Sequence, residues 1–270
     1  MGDDICTKPG GGLPRLRAIM ARLRDPQTGC PWDVEQTFAT IAPYTIEEAY
    51  EVADAIEREA WDELEGELGD LLLQVVYHAR MGEEAGRFDF DTIADRVAAK
   101  MVARHPHVWG EGRVASAADQ VANWEASKAA ERRGRTLDGV ALGLPALMRA
   151  AKLQARAARV GFDWPATAQV LDKLREEAAE LAEARDALTP EAVAEEMGDL
   201  LFVMANLARH LDVDPEAALR GANAKFERRF AAVEDALARR GRTPEGSSLK
   251  EMDRLWDDAK AAERTRMSDN

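Results

Sequence analysis

The chain has 270 residues, with 36 basic against 50 acidic side chains and a formal net charge of −14. That balance disfavours a general binder of nucleic acid or anionic membrane, since both attract cations. No apolar run approaches the ~20 residues of a spanning helix, no signal-peptide core stands at the N-terminus, and Cys6 and Cys30 are too few for a disulfide framework or a thiolate metal site, so a cytoplasmic protein is expected.

In chain order, residues 1–12 are polar and glycine-rich and read as a tail. Residues 13–130 read as a first domain. Within it, Thr45 followed by Glu48 predicts a capping box at the head of an acidic helix. Gly69 falls inside a second predicted helix, where glycine costs about 1 kcal/mol relative to alanine, and so implies close approach of a helix or ligand. His105 and His107 flank Pro106 and predict a helix stop and a turn. Residues 131–143 combine charge and glycines with little periodicity and read as a linker or strap. A second domain follows over 144–263, with helices predicted at 165–188, 190–211 and 215–240. Thr189-Pro190 and Asp214-Pro215 mark two of the starts. Val170, Leu171, Leu174, Ala178 and Leu181 predict an inward apolar stripe along the first of these helices. Gly198 repeats the situation of Gly69, and 264–270 reads as a tail. Alternating β-branched runs are missing, so the expected fold class is all-α.

The acidic residues carry the chemistry. Glu47, Glu48, Glu51, Glu67 and Asp70 recur as Glu176, Glu177, Glu180, Glu196 and Asp199 at one constant offset (176−47 = 199−70 = 129). Carboxylates three or four apart share a helix face, so two such helices crowd negative charge into a small volume. Crowding raises carboxylate pKa values unless cations neutralise it, and oxygen-only donors suit magnesium or manganese. One acidic helix face is ordinarily just solvated; its repetition in register is what points to metal.

Basic and aromatic residues recur as well. Lys100 and Arg104 correspond to Lys225 and Arg229, and Trp124 with Lys128 to Trp256 with Lys260, each pair at i, i+4 spacing. Cations for phosphates and a ring for the base complete a plausible nucleotide site. No ExxH pattern suggests a di-iron centre and no GxxxxGK[ST] loop is present.

With these blocks go Gly-Cys-Pro-Trp-Asp at 29–33, Thr-Phe-Ala-Thr-Ile-Ala-Pro-Tyr-Thr at 37–45, His-Pro-His-Val-Trp-Gly at 105–110 and Lys-Phe-Glu-Arg-Arg-Phe at 225–230. From Leu13 to Glu263 the chain resembles the MazG family of nucleoside triphosphate pyrophosphohydrolases in its tandem two-domain form. The resemblance implies four-helix-bundle domains assembled as a homodimer. It also implies magnesium-dependent hydrolysis of NTPs and dNTPs to the monophosphate and pyrophosphate, in broad-specificity clearance of the nucleotide pool. Carried over, Glu177, Glu180, Glu196 and Asp199 would bind metal and Glu176 would position or deprotonate water. Lys225 and Arg229 would hold phosphates and act in catalysis, Trp256 would meet base or ribose, and Lys260 a phosphate.

Asn206, also assigned to substrate, is Tyr77 in the first domain, and four extra residues precede Lys100 there. Catalysis is therefore expected in the second domain. Glu48, Glu51, Glu67 and Asp70 remain a possible second metal site. The competing expectations are a selective dUTP or dCTP pyrophosphatase, and a nucleotide sensor without turnover.

Overall fold

The computed structural model describes residues 5–8, 10–110, 112–130, 134–187 and 189–268. Parts of both expected tails (1–4, 9 and 269–270), residues 131–133 of the expected linker, Leu188 at an expected helix end, and the side chain of Lys128 lie outside the described residues. Among the described residues there are twelve helices and no strand. They are α1 (Gly12–Leu23), α2 (Pro31–Glu35), α3 (Phe38–Glu57), α4 (Trp61–Glu84), α5 (Phe90–Arg104), α6 (Pro106–Trp109), α7 (Ala117–Ala130), α8 (Ala146–Ala158), α9 (Thr167–Ala187), α10 (Pro190–His210), α11 (Pro215–Ala238) and α12 (Leu249–Ser268). No helix among the described residues is long and apolar enough to cross a membrane.

The chain divides into two compact units, Met1–Arg132 and Arg133–Asn270. In the first, α4 is central and packs against α1, α3 and α5. Its core gathers Met20, Ile41, Val76, Tyr77 and Met81. In the second, α10 packs against α8, α9 and α11, and α11 against α12. Val233, Leu237 and Leu255 form the α11–α12 core.

The first acidic helix starts earlier than the sequence predicts. Thr37, not Thr45, is its N-cap: the Thr37 hydroxyl accepts from the Thr40 amide while the Thr40 hydroxyl accepts from the Thr37 amide. Pro43 lies inside the helix as its sixth residue, where it lacks the amide that would bond the Ala39 carbonyl. Thr45 turns inward instead, with its hydroxyl 3.0 Å from His78 Nε2. The starts at Thr189 and Asp214 are capped as expected; Asp214 accepts from the amides of Glu216 and Ala217 at 2.9 Å each.

The stripe on α9 is also corrected. Val170 is buried and Leu174 and Leu181 are half-buried, but Leu171 and Ala178 are exposed, and the inward line runs through Val170, Glu177 and Ala184. A hydrophobicity pattern places the acid outside because it assigns no partner to a buried charge. Close packing by a helix of the same chain does not explain Gly69 or Gly198: a Cβ at either would meet nothing within 4 Å.

Gly82 of α4 is the opposite case. A Cβ there would lie 2.4 and 2.5 Å from ring carbons of Phe88 and 2.8 Å from the Phe88 carbonyl oxygen. Overpacking of that kind costs about 1–3 kcal/mol. Gly82→Ala is expected to destabilise the chain by that amount, read as a lower midpoint in urea denaturation.

Candidate metal and nucleotide site

In the second unit the sequence partners converge. Glu177 of α9 and Glu196 and Asp199 of α10 each place a carboxylate oxygen within 4.8 Å of the others. Glu177 is only 5% exposed. Its charge is balanced by Lys173, whose ammonium lies 2.7 Å from Glu177 and 2.9 Å from Glu176. Hydrogen bonds to Glu177 and then Glu176 raise the Lys173 pKa, so the lysine stays charged. Glu180, one turn beyond Glu177, stands outside this three-residue group but inside its field. Desolvation, then the charge of Glu177, push its carboxyl up. Glu176 is exposed and held by Lys173.

The first unit builds the same three-carboxylate group from Glu48, Glu67 and Asp70. Desolvation, followed by Asp70 and Glu51, raises Glu48; desolvation, followed by Glu51, raises Glu67. The position of Lys173 is Tyr44 here (173−129 = 44). The Gln74 amide instead donates to Glu48 Oε1 at 3.4 Å. Both donor sets are oxygen-only and tightly gathered, which fits a hard divalent ion.

The cationic residues form a second group on α11 and α12. Arg229 Nε donates to Glu263 at 2.8 Å, and its guanidinium lies 5.8 Å from the Trp256 ring centre. Trp256 packs on the α11–α12 core and against Phe226, with ring centres 5.2 Å apart. Lys225 is exposed, and Lys260 is half-buried with Asp257 at 3.3 Å. Asn206 belongs to a third place, two turns along α10 from Asp199. It is 2% exposed and its Oδ1 accepts from Arg209 Nε and Nη2 at 3.0 and 2.8 Å. Arg209 also bonds Asp163, which lies 3.1 Å from His210 Nε2. Burial pushes the Asp163 carboxyl up, but the bonds from Arg209 and His210 outweigh it and hold the pKa low.

Sequence reasoning missed Lys173, Gln74 and the loop around Asp163. Lys173 was legible as an i, i+4 partner of Glu177; the others act through contacts distant in sequence.

The geometry so far is a duplicated all-α unit with paired acidic centres, and comparison with known proteins agrees with it. Residues 36–109 and 166–233 match the MazG nucleotide pyrophosphohydrolase domain. The chain belongs to this family. It is 52% identical to a nucleoside triphosphate pyrophosphohydrolase of Escherichia coli K12 over 257 residues, covering 93% of this chain and 98% of that protein. A nucleoside triphosphate pyrophosphohydrolase/pyrophosphatase MazG of Thermotoga maritima is 40% identical over 253 residues, covering 93% and 96%. A nucleoside triphosphate pyrophosphohydrolase of Mycobacterium tuberculosis is 43% identical over 148 residues, covering 54% and 44%.

The raised carboxyls give a pH signature. Glu48, Glu67 and Glu180 bind protons more tightly folded than unfolded. Their contribution to stability is complete below the unfolded carboxyl pKa and is lost as pH rises through the folded values. A divalent ion offsets the loss only where the carboxylates are ionised. Thermal-shift measurements with millimolar magnesium should show a larger gain in melting temperature at pH 8 than at pH 5. Equal gains at both would remove the carboxylate clusters as the binding sites.

Proposed function

We propose that the chain is a nucleoside triphosphate pyrophosphohydrolase that uses magnesium, or manganese in its place, and works from the second domain, residues 144–263. The observation that carries this reading is the gathering of Glu177, Glu196 and Asp199 within 4.8 Å, beside a helix, α11, that brings Lys225 and Arg229. Family membership supports the same activity.

In this reading Glu177, Glu180, Glu196 and Asp199 hold the metal, which when bound polarises the α-phosphate and acidifies the attacking water. Glu176 takes the water's proton as the new oxygen–phosphorus bond forms at the α-phosphate and the α–β bridging bond breaks. Lys225 and Arg229 stabilise the charge gathering on departing pyrophosphate. Glu263 sets the direction of the Arg229 guanidinium, which lies 5.8 Å from the Trp256 ring centre; Trp256 then meets the ribose and Lys260 a phosphate. The products are the nucleoside monophosphate and pyrophosphate, from NTPs and dNTPs of any base in the cytoplasmic pool.

We further propose a homodimer. Met197, Leu201 and Met204 form an exposed i, i+4, i+7 stripe on α10, and Leu68, Leu72 and Val75 repeat it on α4 at the same offset of 129 (197−68). Apolar stripes of this kind are ordinarily covered by a partner. Gly198 and Gly69 lie within them and leave room for a close neighbour. The first domain, residues 13–130, then contributes assembly and a possible second metal site at Glu48, Glu51, Glu67 and Asp70.

The test is pyrophosphate release from a panel of NTPs and dNTPs with magnesium. Glu180→Ala should lower kcat/KM about 100-fold or more, while Glu51→Ala should stay within a few-fold of the wild type. Wild-type protein that binds NTP yet releases neither pyrophosphate nor phosphate would be a sensor, not an enzyme.

A further inference from the structure

The second unit contains a cavity of about 520 Å³ that the acidic centre and the α11–α12 group do not use. Leu153 and Gln154 of α8, Phe162 and Trp164 of the following loop, and Phe202 and Asn206 of α10 line it. Its size and its mainly apolar, aromatic walls with few polar groups are those of a small-molecule site. We propose that this cavity seats the base of the nucleoside triphosphate; the inference rests on the hydrolase reading and extends it.

Three observations carry it. The first is an unpartnered polar atom. Gln154 is 9% exposed and lines the cavity; its Nε2 donates to the Phe202 carbonyl at 2.7 Å, and its Oε1 is buried with no hydrogen-bond partner in the structure. A buried acceptor left so is costly and calls for a donor. Asn206 supplies the complement, because Arg209 holds its Oδ1 and leaves Nδ2 as the donor. One acceptor and one donor match the edge of each common base, which presents N–H groups beside ring-nitrogen or carbonyl acceptors.

The second observation is distance. Asn206 follows Asp199 by seven residues on one helix, nearly two turns, so the two lie on the same face about 10 Å apart along the axis. That is the reach of a nucleotide from its α-phosphate to its base. The walls are also fixed in place: Asp163 is bonded to Arg209 and His210, and Arg156 of α8 donates to the carbonyls of Leu137 and Asp138.

The third is the first unit's counterpart. Tyr77 occupies the position of Asn206 (206−129 = 77) and is buried in the core. Its hydroxyl donates to the Asp33 carbonyl at 3.0 Å, and the Arg24 guanidinium lies 5.4 Å from the ring centre. Arg24 is in turn bonded to Glu84 at 2.7 Å. The first unit fills with its own side chains the position that borders a cavity in the second.

Ala157 also lines the cavity, so Ala157→Trp would fill it. KM for ATP and UTP and the inhibition constant of inorganic tripolyphosphate, which has no base, separate the base seat from the phosphate site. Ala157→Trp should raise both KM values about tenfold or more and leave tripolyphosphate inhibition unchanged. Gln154→Leu, nearly isosteric, should raise KM about tenfold through the unmet base edge, and it decides the matter if Ala157→Trp does not fold by circular dichroism. Unchanged KM values in a folded variant overturn the proposal, as does a weakened dimer with normal KM, which would make the cavity a seat for a second copy. Absence of pyrophosphate release by the wild type would instead sink the hydrolase reading. Calorimetric titration of AMP into wild type and variants would then decide the base seat alone, with undiminished AMP binding to the variants ruling it out.

Discussion

Mutual repulsion of carboxylates is the constraint on which the rest of the molecule turns. Each unit pairs two helices whose acids meet, and like charges within a few ångströms cost stability unless something balances them. The balance differs between the units. Lys173 bridges Glu176 and Glu177 in the second, whereas an amide, Gln74, meets Glu48 in the first. A lysine on a flexible stem compensates with a full charge and can be displaced; a buried amide compensates with a dipole and is part of the wall. Metal would relieve both centres, but from different starting points.

The duplication makes the differences between the units interpretable. At one constant offset the two copies keep the acids, the glycine between them and the exposed apolar stripe. They part at positions 77 and 206. A tyrosine with an arginine over its ring closes the interior of the first unit, and burial pushes the phenol up to about 12, so it remains a donor to Asp33. An asparagine clamped by Arg209 borders a cavity in the second. The same backbone position thus serves the core in one copy and lines a concave surface in the other.

The all-α class, the helix starts at Thr189 and Asp214, and the approach of Glu177 to Glu196 and Asp199 were legible because they rest on local period and spacing, whereas Glu180, expected beside them, stands outside the group. The start of α3 was misread, since Thr45-to-Glu48 and Thr37-to-Thr40 are both capping patterns and only tertiary packing, with Thr45 against His78, decides between them. The α9 stripe was misread because Glu177 occupies an inward position that apolar patterning reserves for leucine or alanine. Trp256 and Arg229 were legible as i, i+4-spaced members of repeated pairs, but not their stacking on each other across two helices. Gln154 gave no signal: its role arises from Phe202, which is 48 residues away.

Helix α10 ties these features into one device. It carries Glu196 and Asp199 at one level and Phe202 and Asn206 at the next, so the separation between the acidic centre and the cavity is set by helical rise and not by a loop. The flanking helices add what α10 lacks: Glu177 comes from α9, Gln154 from α8, and the cations from α11, all three of which pack on α10. On the proposed reading, a rigid element that spaces the acidic centre and the cavity would position a nucleotide held at both with little entropy left to lose. Substitutions that bend or shift α10 should therefore disturb both surfaces together, while substitutions on α8 or α11 disturb one at a time.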